Sequence, residues 1–118
     1  MPEQLDFTSA AVELGYLGKI AIATDARMSG GSHGLIVNHI TPEAAVGGPI
    51  ALVQNGDIIE IDAVNLTINL LVDDTILKAR REQWNPPLPK YTLGVYAKAA
   101  NNMSQANLGA VSDIIPAK

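Results

Sequence analysis

The stretch Thr24-Asp-Ala-Arg-Met-Ser-Gly-Gly-Ser-His-Gly34 is the one dense gathering of reactive side chains in this sequence. Its glycines Gly30, Gly31 and Gly34 allow a backbone to approach a ligand closely. Ser29, between Met28 and Gly30, could present its hydroxyl to a substrate, and the planar guanidinium of Arg27 suits a carboxylate. A plainer reading makes the same residues a polar turn in which Asp25 satisfies nearby backbone donors. Serine hydrolysis would need Ser29 beside His33 or His39, with a carboxylate orienting the base. Yet Arg27-Met-Ser-Gly-Gly31 is not the Gly-x-Ser-x-Gly elbow, and His39 lies in an apolar run that suits a hydrogen-bonded core residue. The loop also lacks the spacings of the glycine-rich phosphate-binding motifs.

Elsewhere the reactive residues read as structural. Asp73 and Asp74 suit helix caps, Glu43 a first-turn acid, and Lys78, Arg80 and Arg81 the solvated face of a helix. Trp84 suits a core plug or a lid over a barrel end. Cysteine is absent and there are two histidines, which excludes disulfides and thiolate nucleophiles and argues against a self-contained zinc or iron–sulfur site. A net charge of −4 without a basic cluster argues against nucleic acid. No apolar run approaches the roughly 20 residues that span a bilayer, so no membrane partner is expected. Nothing at the N-terminus reads as a secretory signal. These features predict a soluble, intracellular protein.

The elements that must position the loop follow from patterning. With 118 residues, the chain reads as a single domain over 1–118. Aromatics make up 4% of it, so the core must rest on Ile, Leu, Val and Ala. The spacing predicts a helix over 6–14, with Asp6 or Thr8 as caps and Gly15 as the stop. A strand buried on both faces is expected over 19–23, running into the polar loop, and a second over 35–40. Thr41-Pro-Glu43 reads as a helix start ended by Gly47-Gly48, and 49–53 as a strand entering an Asn55-Gly56 hairpin. Strands over 57–63 and 66–72 flank a turn at Asn65. A helix then runs from Asp73-Asp74 to about Trp84, where Pro86, Pro87 and Pro89 make an extended spacer. A last helix is read over Tyr91–Met103, before a tail. About five strands with peripheral helices give an α+β domain, with a small barrel as one form of it.

Taken in order, the motifs become familiar. Thr24-Asp-Ala-Arg-Met-Ser-Gly-Gly31, Ser32-His-Gly34, His39-Ile-Thr-Pro-Glu-Ala-Ala45, Gly47-Gly-Pro-Ile50 and Asn55-Gly-Asp57 resemble the C-terminal domain of dihydroxy-acid dehydratases. So do Arg80-Arg81, Trp84, Pro86-Pro87, Tyr91-Thr92 and Gly109-Ala-Val-Ser-Asp113. Phosphogluconate and sugar-acid dehydratases share the Ser-Gly loop, whereas Gly-Gly-Ser-His-Gly and Trp–Pro-Pro–Tyr-Thr look more like the enzyme of branched-chain amino-acid biosynthesis. Where the family usually carries Gly, this chain has Ala26, which a left-handed backbone would strain.

The resemblance implies a swivelling β/β/α barrel-like domain packed on a larger N-terminal catalytic domain, in an enzyme that is homodimeric. Such enzymes convert a small 2,3-dihydroxy acid to a 2-keto acid through an enol. An iron–sulfur cluster acts as Lewis acid on the C3 hydroxyl, and Mg²⁺ holds the carboxylate end. By the same resemblance Ser29 is the base that takes the C2 proton, with Arg27, Gly30, Gly31 and Ser32 facing the substrate. Met1-Pro-Glu3 resembles the domain junction whose glutamate binds Mg²⁺, which makes Glu3 a metal ligand. The cluster cysteines belong to the N-terminal domain, so this chain alone is expected to be inactive and to bind no cofactor. The alternatives are a stand-alone binding or scaffolding domain of the same fold, or the domain of a sugar-acid dehydratase. A domain made to be covered should expose an apolar face, whereas a self-sufficient module should be free of patches.

Overall fold

A computed structural model describes residues 4–112. The chain divides into two compact units: a continuous one, Pro42–Leu88, and one assembled from Met1–Thr41 and Pro89–Lys118. Helices and small sheets alternate, so the chain is α+β as expected. Among the described residues no helix is long and apolar enough to cross a membrane.

The discontinuous unit begins with helix α1, Leu5–Glu13, followed by Gly15 as predicted. Neither expected cap performs that role: Gln4 occupies the N-cap position without a side-chain bond, and Thr8 lies buried within the helix. Strand β1, Ala21–Ala23, then pairs in parallel with β2, Leu35–Val37, in the register Ala21 to Leu35, Ile22 to Ile36 and Ala23 to Val37. Parallel neighbours need a crossover between them, and here the crossover is the glycine-rich loop over 24–34. Burial of β1 on both faces does not occur: Ala21 is exposed and Ile22 and Ala23 are half-buried, because a two-stranded sheet leaves a face uncovered. β2 stops short of the predicted end, since His39 takes a left-handed φ of 54° that breaks the extended run. Helix α3, Gly94–Asn102, and a 3-10 turn over Ala106–Leu108 complete the described part of this unit; Ala97 is its buried apolar residue.

The continuous unit carries three corrections. The helix start at Thr41-Pro-Glu43 yields a single 3-10 turn, Ala44–Val46, closed by Gly47 at φ 78°. Pro49–Leu52 is a second 3-10 turn rather than a strand. Proline's fixed φ fits a first helical turn, Ala51 N–H donates to the Gly48 carbonyl at 2.9 Å, and the turn drives Leu52 inward to 5% exposure. Asn55-Gly56 does form a turn, with Asp57 N–H donating to the Gln54 carbonyl at 3.0 Å, but no strand precedes it and it closes no hairpin.

The hairpin is the next pair, β3 (Ile59–Asp62) and β4 (Thr67–Leu70), antiparallel with Ile61 opposite Ile68. Its alternation sorts Ile59, Ile61, Ile68 and Leu70 onto one face and Glu60, Asp62, Thr67 and Asn69 onto the other. The tip is closed by the Asp62 carboxylate, which accepts the Val64 and Asn65 amides, both at 2.9 Å. Helix α2, Asp74–Gln83, starts where the sequence places it, on Asp73, whose carboxylate accepts the Thr75 amide at 2.8 Å. It stops before Trp84 and the prolines.

Candidate functional site

The loop over 24–34 is held at both ends by the parallel pair and braced between them. Thr24 N–H donates to the Val37 carbonyl at 3.0 Å, Ile40 N–H to the Thr24 carbonyl at 3.2 Å, and His39 N–H to the Ala26 carbonyl at 3.1 Å. Thr24 Oγ1 accepts the Ala26 amide at 3.0 Å, fixing the first turn of the loop. Ala26 is not among the left-handed residues, so the strain that alanine would suffer in such a conformation does not arise.

Ser29 opens the turn that follows. Its carbonyl accepts the Ser32 amide at 3.1 Å and its Oγ lies 3.4 Å from the Gly31 amide, which donates to it. The turn thus gathers Ser29, Gly30, Gly31 and Ser32, with Ser29 and Ser32 half-buried and both glycines exposed. Arg27 is exposed, and its carbonyl accepts the Gln4 amide at 3.0 Å. A cavity of about 320 Å³ lies beside the loop, lined by Phe7, Ile22, Thr24 and Met28 among others. Glu3 lies outside the described residues, as does Asp113 of the late Gly-Ala-Val-Ser-Asp run.

The Ser–His arrangement does not form. His33 lines cavities with α1, and His39 lines one with Ala106, Asn107, Gly109 and Ala110. Neither imidazole is hydrogen-bonded to Ser29 among the described residues. His39 is exposed rather than a core residue, because its left-handed backbone turns it off the strand face.

The largest corrections concern charge. Lys78, Arg80 and Arg81 were expected on a solvated face; Lys78 and Arg81 are exposed as expected, whereas Arg80 is half-buried, and both arginines reach back across their own unit. Arg80 grips Asp57 with both terminal nitrogens (Nη2 to Oδ1 at 3.0 Å), and its Nη1 donates to the Leu52 carbonyl at 2.9 Å. Arg81 Nη1 donates to the Gly47 carbonyl at 2.7 Å. The Arg80 guanidinium, followed by the Gln54 amide, holds the Asp57 carboxyl below its ordinary pKa, and Asp57 in turn raises that of Arg80. Asp62 is lowered first by the Asn65 amide, and Asp73 first by the Thr75 hydroxyl. Trp84, half-buried, lays its ring over Gly47.

Sequence reasoning missed two residues that touch the loop, Gln4 and Thr8. Thr8 is 2% exposed and its Oγ1 lies 3.3 Å from Ser32 Oγ. These pairings span more than twenty residues, beyond the reach of any local pattern; an apolar helix face carrying one hydroxyl was the available hint.

A metal centre would need ligands the described residues do not gather: no cluster of three histidine, cysteine or acidic side chains occurs among them. Comparison with known proteins gives the loop a context. The family described as dihydroxy-acid/6-phosphogluconate dehydratase C-terminal matches residues 1–110. A dihydroxy-acid dehydratase of Chromohalobacter salexigens is 52% identical over 97% of the chain, which covers 20% of that protein. A mitochondrial dihydroxy-acid dehydratase of Schizosaccharomyces pombe is 50% identical over 96% of the chain, covering 19% of its length. One from Thermosynechococcus vestitus gives 50% over 96%, covering 20%. The chain therefore spans about a fifth of the length of these relatives.

Proposed function

The chain belongs to the dihydroxy-acid/6-phosphogluconate dehydratase C-terminal family, and from that premise we propose that residues 1–118 form the swivelling, barrel-like C-terminal domain of a dihydroxy-acid dehydratase of branched-chain amino-acid biosynthesis. The names of the matched relatives support this reading over a sugar-acid enzyme. The apolar face of the hairpin supports a covered domain over a self-sufficient module: Ile59 and Ile68 are 37% and 40% exposed on it. In an enzyme of the relatives' length, the N-terminal catalytic domain would lie in the other four fifths. The whole enzyme would be a homodimer in the cytoplasm or an organellar stroma or matrix, and this chain alone would be inactive.

In this reading the substrate is a 2,3-dihydroxy acid. Ser29 takes the C2 proton, the C3 hydroxyl departs so that water is lost overall, and the enol becomes the 2-keto acid. An ordinary serine is far too weak a base, so its anion must be favoured. The observation that carries the assignment is the Gly31 N–H directed at Ser29 Oγ, because a fixed backbone donor favours the charged form of the group it faces. Arg27 is assigned to the substrate carboxylate, and Gly30, Gly31 and Ser32 to close contact with the substrate. The residues present do not fit an iron–sulfur cluster: the chain contains no cysteine. The cluster and Mg²⁺ are accordingly assigned to the N-terminal domain, with Glu3 offered as one Mg²⁺ ligand.

The test is Ser29→Ala in the full-length enzyme. The circular dichroism spectrum and melting temperature should stay unchanged while kcat falls by about 100-fold or more, the usual contribution of a positioned base. A near-normal kcat would sink the assignment.

A further inference from the structure

Thr8 is the most deeply buried polar side chain described, at 2% exposure. Its Oγ1 lies 2.9 Å from the Leu5 carbonyl, 3.3 Å from the Gln4 carbonyl and 3.3 Å from Ser32 Oγ. A hydroxyl has one proton and two lone pairs. Both carbonyls can only accept, and the shorter contact to Leu5 takes the proton. Ser32 must then be the donor toward Thr8. This contact consumes the single proton of the Ser32 hydroxyl and leaves its lone pairs; no other hydrogen bond to Ser32 Oγ occurs among the described residues. Ser32 is half-buried, and its own amide closes the turn onto Ser29.

We infer that Thr8 is a positioning residue that locks the Ser32 hydroxyl as a hydrogen-bond acceptor, so that Ser32 recognises a hydroxyl of the substrate and disfavours a carboxylate oxygen. The inference rests on the dehydratase reading of the Ser29 loop. A carboxylate offers only lone pairs and would meet lone pairs on Ser32. An alcohol brings the missing proton. The same helix end carries a second tether, Gln4 N–H to the Arg27 carbonyl at 3.0 Å, so the start of α1 fixes the loop at two points. Sorting the groups of a dihydroxy acid in this way would steer its carboxylate toward Arg27 and an alcohol toward Ser32.

The experiment compares Thr8→Val, which keeps the shape and removes the hydroxyl, with Thr8→Ser, which restores it. In the full-length enzyme, kcat, KM and competitive inhibition by a 2-hydroxy acid and its carbon-matched deoxy acid are measured. Thr8→Val leaves the Ser32 lone pairs but frees its proton, so the preference for the hydroxy acid should fall by about threefold, part of the worth of one neutral hydrogen bond. Inhibition by the deoxy acid should stay within about twofold, and Thr8→Ser should restore the preference. An unchanged preference, or an equal loss for both inhibitors, overturns the inference. Should Thr8→Val fail to fold, Ser32→Ala serves instead: it removes the acceptor itself, so the preference should fall by up to about tenfold, and an unchanged preference overturns the inference. If the wild-type enzyme dehydrates no dihydroxy acid, the underlying reading fails separately. The tether is then judged by hydrogen exchange at the Gly31 and Ser32 amides: faster exchange in Thr8→Val but not Thr8→Ser upholds the lock, and equal rates overturn it.

Discussion

Gly48 has φ −58° and ψ 164°, a conformation open to any residue. On backbone grounds alone alanine there should stabilise the fold by about 0.4–1 kcal/mol. Sterics reverse the sign. A Cβ on Gly48 would sit 1.7 Å from the Pro42 carbonyl oxygen and 2.4 Å from its carbon, where real Cβ contacts respect 3.0 Å. The obstacle is backbone, so a flexible side chain cannot swing aside. Displacing Pro42 would drag the adjacent Glu43 carbonyl, which accepts the amides of Val46 at 3.2 Å and Gly48 at 3.0 Å. Two weakened hydrogen bonds at about 1 kcal/mol each, with about 1–3 kcal/mol for overpacking, put Gly48→Ala at about 3 kcal/mol or more. Gly47→Ala makes the comparison. Its φ of 78° costs about 1–2 kcal/mol, but what its Cβ meets, at 3.1 Å, is the Trp84 ring, which can give. Trp84 is the sole tryptophan, so its fluorescence reports urea unfolding of this unit. With a slope of about 1 kcal/mol per M, Gly48→Ala should lose about 3 M in midpoint and Gly47→Ala about 2 M or less. A Gly48→Ala protein as stable as Gly47→Ala would refute the reasoning.

Other expectations are simpler to check. Gly30 has nothing within 4 Å of a built Cβ, so Gly30→Ala should melt at the wild-type temperature while kcat/KM of the full-length enzyme falls; unchanged kinetics would remove Gly30 from the substrate contacts. Asp57 is depressed in the folded state, so its contribution is present above the unfolded carboxylate value of about 4 and is lost as pH falls through the lower folded value. Melting temperatures below about pH 4 should therefore drop less steeply in Asp57→Asn than in wild type, and parallel curves would count against the ion pair. Leu66 is 87% exposed at φ 57°, so Leu66→Asn should raise stability by about 0.5 kcal/mol in urea titration; a loss instead would mean the side chain is covered in the protein.

What the sequence made legible is what depends on neighbours a few positions away. Asp73 ahead of Ile76 and Leu77 marks the start of α2, the alternation around Ile61 and Ile68 marks the hairpin, and Gly15 marks the end of α1. The reading of Pro49–Val53 went astray because an apolar run of that length suits a strand or a turn of helix equally well, and the proline decided it. Arg80 looked solvated, and the Arg81 contact went unseen, because their partners, Asp57 and the Gly47 carbonyl, lie more than twenty residues earlier. The candidate loop stood out by composition, but the proton direction at Ser32 did not. It follows from Thr8, which only the fold brings within reach.

The division of the chain also orders its assembly in time. Pro42–Leu88 is continuous, whereas its companion unit needs residues from both sides of it. On the ribosome the continuous unit can close as soon as Leu88 has emerged, using only contacts within its own span. The companion must wait for Pro89–Lys118, about two seconds or more of further synthesis at typical rates. During that interval α1, β1 and the Ser29 loop are made but their unit is incomplete. Closure after that wait is easier if the inner unit already holds its shape, since a folded insert shortens the loop that the flanking segments must close. Substitutions that slow the folding of Pro42–Leu88 would thus leave the candidate loop open to chaperones and proteases for longer, lowering yield even where the finished protein tolerates them.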